Sequence, residues 1–218
     1  MGGCSGGSCS SGSCSDGSCS SGDNDRLPPG MLRQYDLNQD TGLGALIWLD
    51  NDRKTISKEC ISLLGRIRKA SDDRIFAMIT GPADIRPLYD IAFSYGVDTL
   101  YHIRCKEMEQ FNADNYAKAM ADLARRINPM CIMVTADEKG NAMTSKVGVL
   151  LNRHVHLNCT SFTYENNLLK VEGSQDESIP LFSKNNVHPI IATIQSNGFE
   201  TEPIEGRKGT AISRPFKV

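Results

Sequence analysis

The chain has 218 residues, 39% of them hydrophobic and 23% charged, which is enough to bury a core in one domain without staples. Its formal net charge of -2 provides no basic field for nucleic acid. No apolar run approaches the roughly 18 residues that cross a bilayer, so neither nucleic acid nor a membrane is an expected partner.

The N-terminal stretch sets Cys4, Cys9, Cys14 and Cys19 at every fifth position among Gly, Ser and a single Asp. Residues 1–25 contain no Leu, Ile, Val or Phe, so no secretory signal is legible, and "MGGCSG" misses the myristoylation pattern at Gly6. A segment without hydrophobic periodicity cannot offset the entropy of ordering, so residues 1–30 read as a flexible tail. Four thiolates could still wrap a soft metal ion or exchange disulfides. The C-x4-C spacing, however, departs from the C-x2-4-C of structural zinc sites. "RLPPG" at 26–30 ends the tail, and 31–43 is a lead-in.

The first strand signal is "GALIWLD" at 44–50, an apolar run ending in a carboxylate. Ile56, Cys60, Ile61, Leu63, Leu64 and Ile67 then recur at helical spacing. "RIFAMIT" at 74–80 is a second strand. Gly81 and Pro82 break it before the helix "ADIRPLYDIAFSY", with Pro87 near its first turn and Gly96 at its end. "TLYHIR" at 99–104 is a third strand. "NADNYAKAMADLARRI" is a third helix capped by Asn112 or Asp114, its buried stripe running through Tyr116, Ala119, Met120, Leu123 and Ile127. "PMCIMVTA" is a fourth strand and "AMTSKVGVLLNRH" at 142–154 a fourth helix. "HLNCTSFTYEN" and "LLKVEG" read as a strand and its hairpin partner, and "HPIIATIQ" at 188–195 as a last strand. Strands alternating with helices imply right-handed crossovers and an α/β, Rossmann-like parallel sheet covered on both faces. The domain is expected to span 44–200, with 201–218 as a C-terminal extension.

In such a sheet a ligand sits beyond the carboxyl ends of the strands, which directs attention to the loops at 50–53, 80–83 and 135–141. "TADEKGNAMTSK" is the most suggestive. Gly140 could approach a phosphate, and backbone N–H groups from Asn141 to Ser145, including Thr144, could face an anion, although Asp137 and Glu138 would repel one. Asp137, Gly140, Asn141, Thr144 and Ser145 therefore form the candidate nucleotide loop, and Cys4, Cys9, Cys14 and Cys19 the candidate metal ligands. No G-x-G-x-x-G, Walker loop or G-x-S-x-G elbow occurs, and "SGGSCS" at 5–10 lacks the Asp and the preceding strand that a phosphate loop of its kind needs. His154, His156 and Cys159 do not place three ligands on one face. Cys60, Cys105, Cys131 and Cys159 are scattered in a way that suits reduced thiols, and a cytoplasmic location is expected.

From Gly44 to Phe199 the order of segments resembles the N-terminal domain of the electron transfer flavoprotein alpha subunit. The resemblance is carried by "ALIWLDNDRKTISKECISLLGRIRKA", "AFSYGVDTLYHI", "NADNYAKAMADL", "LNRHVHLNCTSFTYENNLLKV" and "HPIIATIQSNGFE". It implies a non-catalytic alpha-type subunit, or a split form of one, that packs on a beta-type subunit and supports flavin-dependent electron transfer. A flavin or iron-sulfur dehydrogenase would be the further partner. The family holds FAD chiefly in a second alpha domain, for which a chain ending at Val218 has no room. FAD or AMP is therefore expected to be bound by the complex rather than by this chain alone. "GSQDESIPLFSKN" and "TIQSNG" replace the family's usual segments, so no flavin residue transfers. Two other readings stand beside this one: a stand-alone nucleotide-binding or sensor module, and a metal- or redox-responsive protein acting through its cysteine tail.

Overall fold

The computed structural model describes residues 44–165, 168–173, 178–181 and 189–217, all within one compact unit, Asp36–Val218. Cys4, Cys9, Cys14, Cys19, the lead-in at 31–43 and His188 lie outside the described residues.

The strands are β1 (Ala45–Leu49), β2 (Ile75–Thr80), β3 (Thr99–Arg104), β4 (Cys131–Thr135), β5 (Val155–Cys159), β6 (Ser161–Glu165), β7 (Leu168–Glu172), β8 (Ser178–Leu181), β9 (Ile190–Ile194) and β10 (Thr210–Pro215). The helices are α1 (Lys58–Ala70), α2 (Pro87–Ser94), α3 (Ala113–Ile127) and α4 (Glu138–Leu151). Seven strands form one sheet in the order β10-β3-β2-β1-β4-β9-β5, every pairing parallel. The chain is thus α/β and Rossmann-like. β6, β7 and β8 form a separate antiparallel sheet, the hairpin partner having gained a third strand.

Continuous apolar runs make β1, β2 and β4 buried on both faces, as a parallel sheet between two helical layers requires. On one face α1 and α2 pack Leu63, Leu64, Ile67, Leu88 and Phe93 against Ile47, Leu49 and Ile79, and the small sheet adds Phe162, Leu169 and Val171. On the other face α3 and α4 pack Tyr116, Met120, Leu123, Met143 and Val147 against Leu46, Trp48, Ile132 and Val134. Each fully buried aliphatic side chain contributes about 1.5–3 kcal/mol, so these two layers dominate the stability.

Local chemistry sets the helix ends. The Ser57 hydroxyl accepts from Cys60 N at 3.2 Å, and Asn112 Oδ1 accepts from Asp114 N and Asn115 N at 3.0 and 3.1 Å, which identifies Asn112 as the cap of α3. Asn128 and Asn152 close α3 and α4 in the left-handed region at φ 44° and 52°. The helix expected around Pro87 is divided: Ala83–Ile85 form a 3-10 turn and Pro87 opens α2, where its missing N–H costs nothing.

The strand expected from "HLNCTSFTYEN" is also divided, into β5 of the large sheet and β6 of the small one, and two further features depart from the pattern in the sequence. α4 begins at Glu138, four residues before the apolar periodicity, because Asp137 caps it: Asp137 Oδ1 accepts from Gly140 N at 2.7 Å. Residues 210–215, expected only as part of an extension, form the edge strand β10 in parallel register with β3. Asp98 anchors that segment. Its carboxylate accepts from Arg207 Nη2 at 2.6 Å, Arg68 Nη2 at 2.8 Å and Ile75 N at 2.8 Å, and its carbonyl accepts from Thr210 N at 2.9 Å. Among the described residues no helix is long and apolar enough to cross a membrane.

Candidate functional site

The strand order reverses between β1 and β4, with β2, β3 and β10 on one side and β9 and β5 on the other. This is the switch point where open α/β sheets form a ligand crevice beyond the carboxyl ends of the strands. The three loops singled out in the sequence meet there. Asn51 Nδ2 donates to Thr80 O at 3.2 Å, joining the ends of β1 and β2. Lys139 Nζ donates to Asp50 Oδ2 at 2.9 Å, joining the end of β1 to the first turn of α4.

That ion pair spans the switch point itself. The Asp50 carboxylate holds the Lys139 amine above the usual lysine range, its hydrogen bond outweighing partial burial. The same ammonium lies 5.9 Å from the Phe111 ring centroid. Phe111 in turn packs with Trp48 and Tyr116 at centroid separations of 5.7 and 5.0 Å. Tyr116 is fixed at both ends of its hydroxyl, which donates to Met108 O at 2.8 Å and accepts from Thr80 Oγ1 at 2.9 Å. Burial raises its pKa, so it remains a neutral phenol.

The carboxylate of Asp137 is also fully engaged, Oδ1 with Gly140 N and Oδ2 with Thr135 Oγ1 at 2.8 Å. A Cβ at Gly140 would stand 2.0 Å from Thr135 O, so glycine is required for α4 to lie against the end of β4 rather than for access by a ligand. Asn141 belongs to a second network: its Oδ1 accepts from Thr193 Oγ1 at 2.7 Å, its Nδ2 donates to Asn158 Oδ1 at 2.9 Å, and Thr193 Oγ1 accepts from Asn158 N at 2.8 Å. Asn158 sits at φ 58° where the β5 register shifts. One turn further on, Thr144 is fully buried, and the exposed Ser145 donates back to Asn141 O at 2.8 Å. Of the five residues expected to form a nucleotide loop, the structure gathers Asp137, Gly140 and Asn141 at the carboxyl ends of the strands. Thr144 is placed in the core and Ser145 on the outer surface.

The buried thiols are poor nucleophiles, and of these Cys60 lies at the switch point while Cys131 opens β4 at the other end of the sheet. Cys60 Sγ lies 3.4 Å from Asp50 N and 3.5 Å from Trp48 O, and burial pushes its pKa up to about 11. Burial also raises Cys131 to about 12 and Cys159 to about 11. Among the described residues no group of three or more His, Cys, Asp or Glu could hold a metal ion. His102 bridges Tyr89 Oη at 2.6 Å and Gly81 O at 2.8 Å, so its Nε2 carries the proton. Burial keeps its pKa below the usual histidine value, and it acts as a strut for the loop after β2.

The Asp50 and Lys139 pair and the aromatic cluster were not visible as a unit in the sequence, since the paired side chains are 89 residues apart. Only the carboxylate at the end of the first apolar run was a signal.

Comparison with known proteins adds a second line of evidence. Residues 50–216 match the family model described as the electron transfer flavoprotein domain. Protein FixB of Azotobacter vinelandii is 23% identical over 184 residues, which cover 79% of this chain and 51% of that protein. The electron transfer flavoprotein subunit alpha of Thermoanaerobacterium thermosaccharolyticum is 23% identical over 131 residues, 58% of this chain and 39% of that protein. The lactate dehydrogenase (NAD(+),ferredoxin) subunit LctC of Acetobacterium woodii is 22% identical over 127 residues, 57% and 30% of the two chains. The chain thus spans about half the length, or less, of these relatives.

Proposed function

The chain belongs to the electron transfer flavoprotein domain family, and on that footing we propose that it is an alpha-type subunit, or a split form of one. In this reading it packs on a beta-type subunit and supports flavin-dependent electron transfer without catalysing a reaction itself. A flavin or iron-sulfur dehydrogenase is the further partner, and FAD or AMP is bound by the assembly rather than by this chain alone.

The observation that carries this reading is the self-closure of the switch point by Lys139 and Asp50. An adenine nucleotide or flavin phosphate fits this end of the sheet poorly. It would meet the carboxylates of Asp50 and Asp137, the N–H of Gly140 already serves Asp137, and the N–H of Asn141 donates to Asp137 O at 2.9 Å. Among the described residues, the charged groups at the ends of β1 and β4 are already paired within the domain. The names of two of its relatives, a lactate dehydrogenase (NAD(+),ferredoxin) subunit and an electron transfer flavoprotein subunit alpha, support a role within a larger electron-transfer assembly.

Isolation of the tagged chain from its native host tests the reading. A beta-type subunit and bound flavin in the eluate are the expected result, and the absence of both a beta-type subunit and any flavoprotein would remove it. The rival reading, a stand-alone nucleotide module at Asp137, Gly140, Asn141, Thr144 and Ser145, requires Lys139 and Asp137 to leave their present partners. Calorimetry of the chain alone with AMP, ATP and FAD separates the two, since heats equal to dilution for all three exclude the rival.

A further inference from the structure

Between α3 and the carboxyl ends of β3 and β10, the structure contains a concavity that the electron-transfer reading does not use. It lies where β10 leaves the sheet and has a volume of about 350 Å³, within the roughly 300–1,000 Å³ of ligand pockets. Its floor is apolar: Ile103, Ala119 and Leu123 are 5%, 2% and 4% exposed, and Phe216 continues it from β10. Its rim is cationic, formed by Arg126, Arg214 and Lys217 with a single carboxylate, Asp122.

The charges on that rim are unequally satisfied. Asp122 is engaged by Arg126, whose Nε and Nη2 stand 2.9 and 3.4 Å from its two oxygens. Arg214 and Lys217 have no side-chain hydrogen bond or ion pair among the described residues. The backbone holds Arg214 in place, because β10 pairs with β3 from Thr210 to Pro215 and Phe216 N donates to Arg104 O at 3.0 Å, and Lys217 follows directly as an exposed cation. A fixed apolar floor under two uncommitted cations, in a chain of net charge -2, is selective for a molecule with a flat apolar body and an anionic head.

We propose that this pocket binds an amphipathic organic anion, its phosphate or carboxylate head paired with Arg214 and Lys217 and its apolar body seated on Ile103, Leu123 and Phe216. The head supplies the acceptor oxygens that Arg214 lacks, and the guanidinium can take two of them at once. The body packs chiefly on the half-buried Phe216 ring, with Ile103 and Leu123 closing the floor beneath it.

The test is a titration of the full chain with 1-naphthyl phosphate, 1-naphthol and inorganic phosphate, followed by backbone amide chemical shifts. 1-Naphthyl phosphate is expected to bind at least about tenfold more tightly than either of the others, with the shifts centred on Leu123, Arg126 and Phe216. Arg214→Met, which keeps the side-chain stem, should weaken that binding about tenfold, and Arg214→Lys should restore part of it. Asp122→Asn releases Arg126 and should tighten it. Equal affinity for 1-naphthol and 1-naphthyl phosphate, no binding of the phosphate ester, or indifference to Arg214→Met would each overturn the proposal.

Discussion

Lys139 Nζ stands 2.9 Å from Asp50 Oδ2, so the first turn of α4 is tied to the end of β1 across the point where the strand order reverses. The pair is partly solvated, with the two side chains 48% and 26% exposed, so its energetic contribution is modest. Its importance is positional, since it links the end of β1 to the first turn of α4 at the switch point.

The pair gives the chain an alkaline signature. Asp50 raises the Lys139 pKa in the folded state, so the contribution is fully present below the unfolded value of about 10.4. It is lost as pH climbs through the higher folded value. Urea midpoints measured from neutral pH into this range should fall further for the native chain than for Lys139→Met. Parallel decline of the two would show that the pair does not form in solution.

Gly140→Ala should destabilise the fold, although alanine is the better helix former by about 1 kcal/mol. The added methyl would lie 2.0 Å from Thr135 O and 3.0 Å from Val134 Cγ1, both fixed by β4. A loss of about 1–3 kcal/mol in equilibrium unfolding is expected. A gain in stability would mean that α4 does not lie against β4 in this way.

Asp98 joins β2, α1 and the segment leading to β10 through one carboxylate. Asp98→Asn should cost about 1–3 kcal/mol, and hydrogen exchange should show the amides of β10 losing protection before those of β1 and β4. Arg207→Ala should loosen β10 selectively with a smaller global effect. Uniform loss of protection across the sheet would contradict the assignment of Asp98 as the anchor of β10.

The four thiols of the folded domain should separate by reactivity. Cys105 is half-buried, and Cys60, Cys131 and Cys159 are buried. In a variant with Cys4, Cys9, Cys14 and Cys19 changed to Ser, Cys105 should react with a disulfide reagent ahead of the three buried thiols, slowed by the burial and the Glu107 carboxylate that raise its pKa, and all four should react in denaturant. Rapid reaction of Cys60 would mean that the end of β1 opens readily.

The elements with the strongest hydrophobic signal were legible in the sequence. β1, β2, β3 and β4 follow apolar runs, and the α3 stripe through Tyr116, Ala119, Met120 and Leu123 is buried as its spacing implies, with Ile127 half-buried at its end. β10 was not legible because Thr210, Ala211, Ser213 and Pro215 are exposed, and its place in the sheet comes from backbone pairing to β3 and from Asp98. The first turn of α4 was hidden by its polarity and by Gly140, although Asp137 is a recognisable cap residue. The closure of the candidate site depends on a contact between residues 50 and 139, which no local pattern encodes. The resemblance to the electron transfer flavoprotein alpha domain was legible because the elements occur in the matching order from Gly44 to Phe199.

The most direct test of the account is the composition of the complex formed by the full chain in its native host, read by mass spectrometry together with the visible absorption of the purified material. A beta-type subunit in a fixed ratio to this chain is expected, with a flavin spectrum that stays with the complex and is absent from the separated chain. Recovery of the chain with neither a beta-type subunit nor a flavoprotein would contradict it.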